Sequence, residues 1–169
     1  MKNTCCFFGH RRIDITDSLT EKLHSIIEHL ITEEKVDTFL FVSKSCFDDL
    51  CYNITSYLKI IHPHIKRIYA RVYPKHITDE YREYLLTSYE NTYYPDIILN
   101  AGKATYIKRN FDMINKSKFC IIYFNDNYSP PGRNSGTRIA YEYAKKHNKI
   151  IINLFDCRNI DVLLHKKGT

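Results

Sequence analysis

Short runs of apolar residues alternate along this chain with longer segments in which apolar residues recur every three or four positions. Residues 4–8 are almost wholly apolar, which is typical of a strand covered on both faces. Leucine and isoleucine then recur at helical spacing over residues 19–31, and Ser18 with Glu21 forms a capping box that predicts the start of this helix. The alternation continues to residue 155 and predicts βαβ units around a parallel sheet.

Five strands and the helices between them define the predicted fold. The strands are predicted over residues 4–8, 37–43, 67–73, 119–124 and 149–155. Helical spacing predicts connections that end near residue 34, near Pro63 and near His147, and a further helix from about residue 104. This order predicts an α/β fold, a Rossmann-like, doubly wound, mainly parallel sheet of about five strands with helices on both faces.

The length of 169 residues predicts a single domain over 1–169, in which residues 78–100 form a tyrosine-rich excursion and residues 156–169 a tail. No apolar run approaches the ~20 residues that a membrane span requires, and the N-terminus has no signal-peptide core. The six cysteines fall mostly in apolar patterns, which is typical of reduced, buried thiols. We therefore expect a cytoplasmic protein with no membrane partner, no metal site and no required cofactor.

The loops after the strands are the places to look for function, because ligands of such folds bind beyond the carboxyl ends of the strands. The first loop carries Gly9, His10 and Arg11. A glycine lets the backbone approach a ligand, a histidine can donate or accept a hydrogen bond, and an arginine can fork onto a phosphate. Spacing alone balances this interpretation evenly against a turn with two solvated basic side chains.

The loop after the second strand and the start of the next helix carry Ser43, Ser45, Asp48 and Asp49. The serines can cap the helix or contact a phosphate or a ribose hydroxyl, and the helix amides can bind an anion. Acidic residues in a first helical turn usually complement the helix dipole, so this interpretation is favoured unless one of the aspartates binds ribose.

The segment PPGRNSGTRIAYEYA, residues 130–144, is the most informative. Ser135, Gly136 and Thr137 lie at the mouth of its helix, where hydroxyls and free amides suit a phosphate. We favour this interpretation over a simple N-cap, which needs only one of the three residues. Arg109 lies within the preceding helix beside Asn110, and periodicity does not decide whether its side chain is solvated or turns toward the carboxyl edge of the sheet.

The chain resembles the SLOG (SMF/DprA-LOG) superfamily, in a branch of small single-domain bacterial and phage proteins of unknown function that opens with GHR. Five segments carry the resemblance, which covers about residues 5–154: CCFFGHR, FLFVSKSCFDDLC, RIYARVYP, YIKRNFDMINKSKFCIIYF and SGTRIAYEYAKKHNKIIINL. It implies a Rossmann-like fold associated with nucleotides, nucleotide-derived signals or nucleic acid. The ligand-contacting positions that it implies are Gly9, His10, Arg11, Ser43, Ser45, Asp48, Arg109, Asn110, Ser135, Gly136 and Thr137.

Two departures from the relatives bear on mechanism. Many relatives have a glycine-rich SGxxxGxD loop where this chain has the bulkier SKSCFDD. The Lonely Guy phosphoribohydrolases and the nucleoside deoxyribosyltransferases have a GTxxE motif, whose glutamate falls here on Ala140. Cleavage of an N-glycosidic bond needs a carboxylate that alanine cannot supply. Glu142 is rotated roughly 200° from that position on a helix, and Asp48 lies on the opposite loop.

These residues favour a protein that binds a nucleotide or a nucleotide-derived small molecule, as a sensor or by sequestration. One alternative is a nucleotide N-glycosidase of the phosphoribohydrolase type, with Asp48 or Glu142 as its carboxylate. A second alternative is a DNA-binding module, which the net charge of +6 suggests, although no long basic stripe is visible. We expect the tyrosines of residues 78–100 to cover the sheet or a homo-oligomer interface rather than to stack bases.

Overall fold

A computed structural model describes residues 3–42, 45–72, 76–128 and 135–156. Within these residues the strands are β1 (Thr4–Gly9), β2 (Thr38–Phe41), β3 (Lys66–Ala70), β4 (Asn91–Tyr93), β5 (Phe119–Tyr123) and β6 (Ile150–Asn153). The α-helices are α1 (Asp17–Thr32), α2 (Cys46–Ile61), α3 (Asp79–Leu86), α4 (Thr105–Lys116) and α5 (Gly136–Lys146). Short 3₁₀ turns cover Asp96–Ile98, Gly102–Ala104 and Asp126–Tyr128.

The six strands form one parallel sheet in the order β4-β3-β2-β1-β5-β6. From β1 the chain winds outward in one direction through β2, β3 and β4, and then returns to the other side of β1 with β5. The winding direction therefore reverses between β1 and β5, whose carboxyl ends lie side by side at the pair Gly9 and Tyr123. A crevice opens at such a switch point, and it is the usual ligand site of a doubly wound sheet.

Alternate residues of β1 enter two cores, one on each face of the sheet. Cys5 and Phe7 pack with the apolar residues of α1 and α2, whereas Cys6 and Phe8 pack with those of α4 and α5. Because both faces are covered, β1 and β5 are apolar at nearly every position, as the sequence pattern predicts. The predicted Rossmann-like, doubly wound fold is confirmed.

Two local predictions differ from the structure. The side chain that caps α1 is Thr16, whose Oγ1 accepts a hydrogen bond from the Leu19 amide at 3.1 Å, so the predicted capping box of Ser18 and Glu21 is wrong. The sheet also has a sixth strand, β4, inside the tyrosine-rich excursion. This strand has three residues, Asn-Thr-Tyr, at the edge of the sheet, and so short a segment shows no period of its own.

The tyrosine-rich residues serve different parts of the fold. Tyr89 and Tyr93 pack against the two cores, and the Tyr93 hydroxyl donates to Asp112 Oδ2 at 2.9 Å. Tyr81 and Tyr84 lie on α3 and are exposed.

No helix in the described ranges is long and apolar enough to cross a membrane. Apart from its first residue, Asp156, the predicted tail lies outside the described residues.

Candidate functional site

A cavity of about 570 Å³ opens at the switch point between β1 and β5. Its walls come from the end of β1, the start of α2, the middle of α4 and the start of α5. Every predicted ligand-contacting residue that the structure describes lines this cavity: Gly9, His10, Arg11, Ser45, Asp48, Arg109, Asn110, Ser135, Gly136 and Thr137. Ser43 and residues 130–134 lie outside the described residues. The grouping is tertiary, because these residues are up to 128 positions apart in the chain.

His10 bridges the two strand ends at the base of the cavity. Its side chain is buried, and its Nε2 lies 3.0 Å from the backbone nitrogen of Asn125, the second residue after β5. The same Nε2 lies 3.2 Å from the Asn125 carbonyl oxygen. Burial lowers the pKa of His10 against the opposing backbone hydrogen bond of Asn125, which favours the neutral ring. In one neutral tautomer Nε2 accepts from the Asn125 amide, and in the other it donates to the Asn125 carbonyl. One ring nitrogen therefore joins the loops after β1 and β5.

Gly9 has no room for a side chain because Phe47 packs directly against it, a constraint that the sequence alone does not show. A Cβ atom built at this position would overlap the ring and the Cβ of Phe47, which lies in the first turn of α2. The absence of a side chain thus lets α2 approach the end of β1, and no approach of backbone to a ligand is needed to explain the residue.

At the start of α5, the backbone amides rather than the side-chain hydroxyls are available to a ligand. The Ser135 hydroxyl caps the helix by accepting from the Arg138 amide at 3.1 Å, and the Thr137 hydroxyl donates to the Gly9 carbonyl at 2.9 Å. The amides of Gly136 and Thr137 belong to the first turn and donate to no residue in the described ranges. A Cβ atom on Gly136 would have nothing within 4 Å among the described residues, so none of them closes the cavity at this point.

At the start of α2, in contrast, two of the first three amides have partners within the described part of the chain. The Cys46 amide donates to the Arg11 carbonyl at 3.1 Å, and the Asp48 amide donates to the capping hydroxyl of Ser45 at 3.0 Å. The anion site that the sequence suggests for this helix therefore has fewer available donors than the start of α5. Its main contribution to the cavity is the side chain of Asp48.

Asp48 is a buried carboxyl with an unusual environment. Only 8% of the residue is exposed, and its Oδ2 accepts from the Ser45 hydroxyl at 2.7 Å, whereas its buried Oδ1 has no partner in the described part of the chain. Burial raises the pKa of Asp48 to about 7, in spite of the opposing Ser45 hydrogen bond and the charge of Arg109. The dipole interpretation thus suits the exposed Asp49 but does not describe Asp48.

Arg109 turns toward the carboxyl edge of the sheet, a choice that periodicity left open. It is 8% exposed and lines the cavity, and its Nε and Nη2 donate to Asn110 Oδ1 at 3.2 and 3.0 Å. Its guanidinium also lies 5.5 Å from the ring centroid of Tyr106. Sequence reasoning missed Tyr106, although its position three residues before Arg109 places both on one face of α4.

The second carboxylate candidate, Glu142, does not reach the cavity. It lines a separate depression beside Phe111, Arg138 and Tyr143 on the outer face of α5. Ala140 is buried in the core between α5 and the sheet. Of the two candidate catalytic carboxylates, Asp48 lines the same cavity as Arg11 and Arg109, and Glu142 does not.

Together, these elements define an α/β domain with a ligand-sized cavity at its switch point, where two guanidinium groups, free helix amides and one buried carboxyl meet. The described residues hold no group of three or more His, Cys, Asp or Glu side chains arranged for a metal ion. No protein-family model matches the chain, and no curated protein is significantly similar to it.

Proposed function

We propose that this protein binds a nucleotide or a nucleotide-derived small molecule in the cavity at the carboxyl edge of its sheet. The observation that carries the proposal is the meeting of Arg11, Arg109 and the amides of Gly136 and Thr137 around one cavity of about 570 Å³. Guanidinium groups and free helix amides are the usual partners of a phosphate. The volume lies within the usual range for small-molecule sites.

Within this proposal, each wall of the cavity has a role. The start of α5 and the two arginines hold the phosphate, and Asp48 accepts a hydrogen bond from a ribose hydroxyl on the side of α2. Ser43 is also a predicted ribose contact, and this role stays a prediction. Membership of the SLOG superfamily, which the sequence resembles, is part of the same proposal and leads to the same class of ligand.

Binding for sensing or sequestration is favoured over turnover because Ala140 occupies the position of the motif glutamate and is buried. The site as described would then hold its ligand without cleaving it, and no cofactor is needed for such a role. A cytoplasmic location suits this function and stays a prediction.

The first test compares two variants that each add one negative charge. Gly136→Asp places a carboxylate at the mouth of α5, where it meets no other described residue and repels a phosphate. Asn53→Asp places the same charge on the exposed face of α2, away from the cavity, and serves as the matched control. Thermal-shift and calorimetric titrations with AMP, GMP, CMP, UMP, NAD and ribose 5-phosphate measure binding.

We expect at least one phosphorylated probe to stabilise the wild-type protein and the control variant. The Gly136→Asp variant should lose most of that shift. Equal shifts in all three proteins would contradict the phosphate site, and no shift with any probe would contradict the proposed function.

A second candidate function is hydrolysis of a nucleotide N-glycosidic bond, and Asp48 is the observation that favours it. A buried carboxyl with a pKa of about 7 can hold or release a proton near neutral pH, as a general acid or base must. Release of free base from nucleoside monophosphates or NAD, followed by chromatography and abolished by Asp48→Asn, would establish this activity. No base release at any pH from 5 to 9 would leave binding as the function.

Self-association through residues 78–100 is proposed as a further property. Leu86, Ile97 and Leu99 of this segment expose between 42% and 50% of their surface, and exposed apolar groups of this kind are typical of contact surfaces. Light scattering after size exclusion tests it: a dimer that becomes a monomer in Leu99→Glu supports the proposal, and a monomeric wild-type protein contradicts it.

A further inference from the structure

A second cavity, of about 400 Å³, adjoins the first one. The two cavities share Val42 and Asp48 as lining residues, so Asp48 lies at the junction between them. Five tyrosines line the second cavity, which we call the tyrosine pocket: Tyr52, Tyr69, Tyr81, Tyr84 and Tyr89. A concentration of aromatic rings at one side of a polar cavity needs an explanation beyond packing of the core.

The inner wall of the tyrosine pocket is rigid. Tyr89 lies 5.2 Å from both Tyr52 and Tyr69, measured between ring centroids, and Tyr52 and Tyr89 both pack against Phe41. The Tyr52 hydroxyl donates to the Ser88 carbonyl at 2.8 Å. These contacts fix the orientation of the three rings before any ligand arrives, which lowers the entropy cost of binding.

The outer wall is formed by two tyrosines of α3 that the core does not require. Tyr81 and Tyr84 are 38% and 69% exposed, and their rings are parallel within 17° with centroids 6.4 Å apart. Two exposed aromatic rings of common orientation thus lie beside the cavity. Flat π-surfaces of this kind stack on planar rings and tolerate many ring types.

The charges of the two cavities differ in sign. Apart from Asp48, which lines both, the first cavity is lined by the basic Arg11 and Arg109, whereas the tyrosine pocket, among the described residues, is lined by the acidic Asp49 and by no lysine or arginine. The carboxylate oxygens of Asp49 accept hydrogen bonds, so the tyrosine pocket suits a planar ring whose edge carries N–H donors. A molecule with a phosphate at one end and such a ring at the other matches both cavities at once.

We propose that the tyrosine pocket binds the nucleobase of the nucleotide whose phosphate lies in the first cavity, and that it prefers a purine with an exocyclic amino group. This inference rests on the proposed function and adds the base specificity. The ribose then lies at the junction, beside Asp48. The interpretation differs from the sequence-based expectation, in which these tyrosines cover the sheet or a homo-oligomer interface.

The test uses alanine variants at exposed tyrosines, because their removal leaves both cores intact. Tyr81→Ala and Tyr84→Ala remove the outer wall, and Tyr57→Ala is the matched control, since Tyr57 is 57% exposed on α2 and packs beside His24 rather than in the pocket. Calorimetric titration measures the Kd of AMP and of ribose 5-phosphate, which has the phosphate and the sugar but no base.

We expect AMP to bind more tightly than ribose 5-phosphate to the wild-type protein. Each of Tyr81→Ala and Tyr84→Ala should weaken AMP about tenfold, since base-aromatic stacking is lost, and should leave ribose 5-phosphate unchanged. Tyr57→Ala should change neither Kd. Equal effects of the tyrosine variants on both probes would overturn the base site, because the rings would then act through the fold.

A matched pair of purines tests the amino group. IMP carries a carbonyl oxygen where AMP carries the exocyclic amine, so IMP should bind more weakly than AMP. The Asp49→Asn variant should reduce the ratio of the two Kd values. If ribose 5-phosphate binds but AMP gains nothing over it, the base site is wrong while the phosphate site stands. If neither probe binds, the proposed function is wrong and the base site falls with it.

Discussion

Replacement of Asp48 by asparagine should make the protein more stable than the wild type, by an amount that grows as the pH rises. The carboxyl of Asp48 has an ordinary pKa of 3.8 and a pKa of about 7 in the fold, because burial disfavours its charge. The folded state therefore keeps a proton that the unfolded chain loses between these two values. The contribution of Asp48 to the stability of the wild-type protein therefore falls over this interval and levels off above pH 7.

The magnitude follows from the two pKa values. The pKa of Asp48 is 3.8 in the unfolded chain and about 7 in the fold, and this difference corresponds to roughly 4 kcal/mol of unfolding free energy. Asparagine has the shape of the neutral carboxyl and can still accept from the Ser45 hydroxyl, but it does not titrate. Its advantage over the wild type should grow from pH 4 and approach that figure by pH 8.

Urea unfolding of both proteins at pH 4, 5, 6, 7 and 8 checks this expectation. The difference between the two free energies cancels the other titrating groups, so the slope with pH reports Asp48. The control is Asp17→Asn, which replaces an exposed carboxyl in the first turn of α1, far from the cavity, and the growth of the difference with pH should be confined to Asp48→Asn. A flat difference for Asp48→Asn would refute the argument that burial controls this carboxyl.

Three further predictions concern residues that hold the site in place. Gly9→Ala should lower the unfolding free energy by about 1–3 kcal/mol through overlap with Phe47; an unchanged urea midpoint would contradict this. Thr137→Val should cost about 1 kcal/mol by loss of the hydrogen bond to the Gly9 carbonyl, and Thr137→Ser should restore most of it in the same assay. Glu90→Gln should cost about 1–2 kcal/mol at pH 7, because Arg67 donates to both carboxylate oxygens of Glu90. Burial acts to raise the pKa of Glu90, but the hydrogen bonds and charge of Arg67 outweigh it and lower that pKa. The Glu90 contribution is therefore present above the unfolded pKa and is lost as the pH falls through the lowered folded pKa, so the two proteins should converge in acid; a gap that persists there would contradict it.

Local pattern was sufficient to predict most of the fold and the position of the cavity. Apolar runs and helical spacing depend on near neighbours, so β1, β5 and the helices between strands could be recognised from the chain alone. The preference for right-handed parallel crossovers then brings the loops after the strands to one edge. This is why residues as distant as Gly9, Asp48 and Thr137 could be predicted to meet.

What each side chain does at that edge was decided by tertiary contacts. Gly9 is required by Phe47, the Thr137 hydroxyl donates to the Gly9 carbonyl, and burial in the fold raises the pKa of Asp48 in spite of the opposing charge of Arg109. None of these effects has a period or a motif, since each depends on atoms that are remote in sequence. The tyrosine pocket is of the same kind: the chain shows many tyrosines, and only packing decides which of them enter the core and which face a cavity.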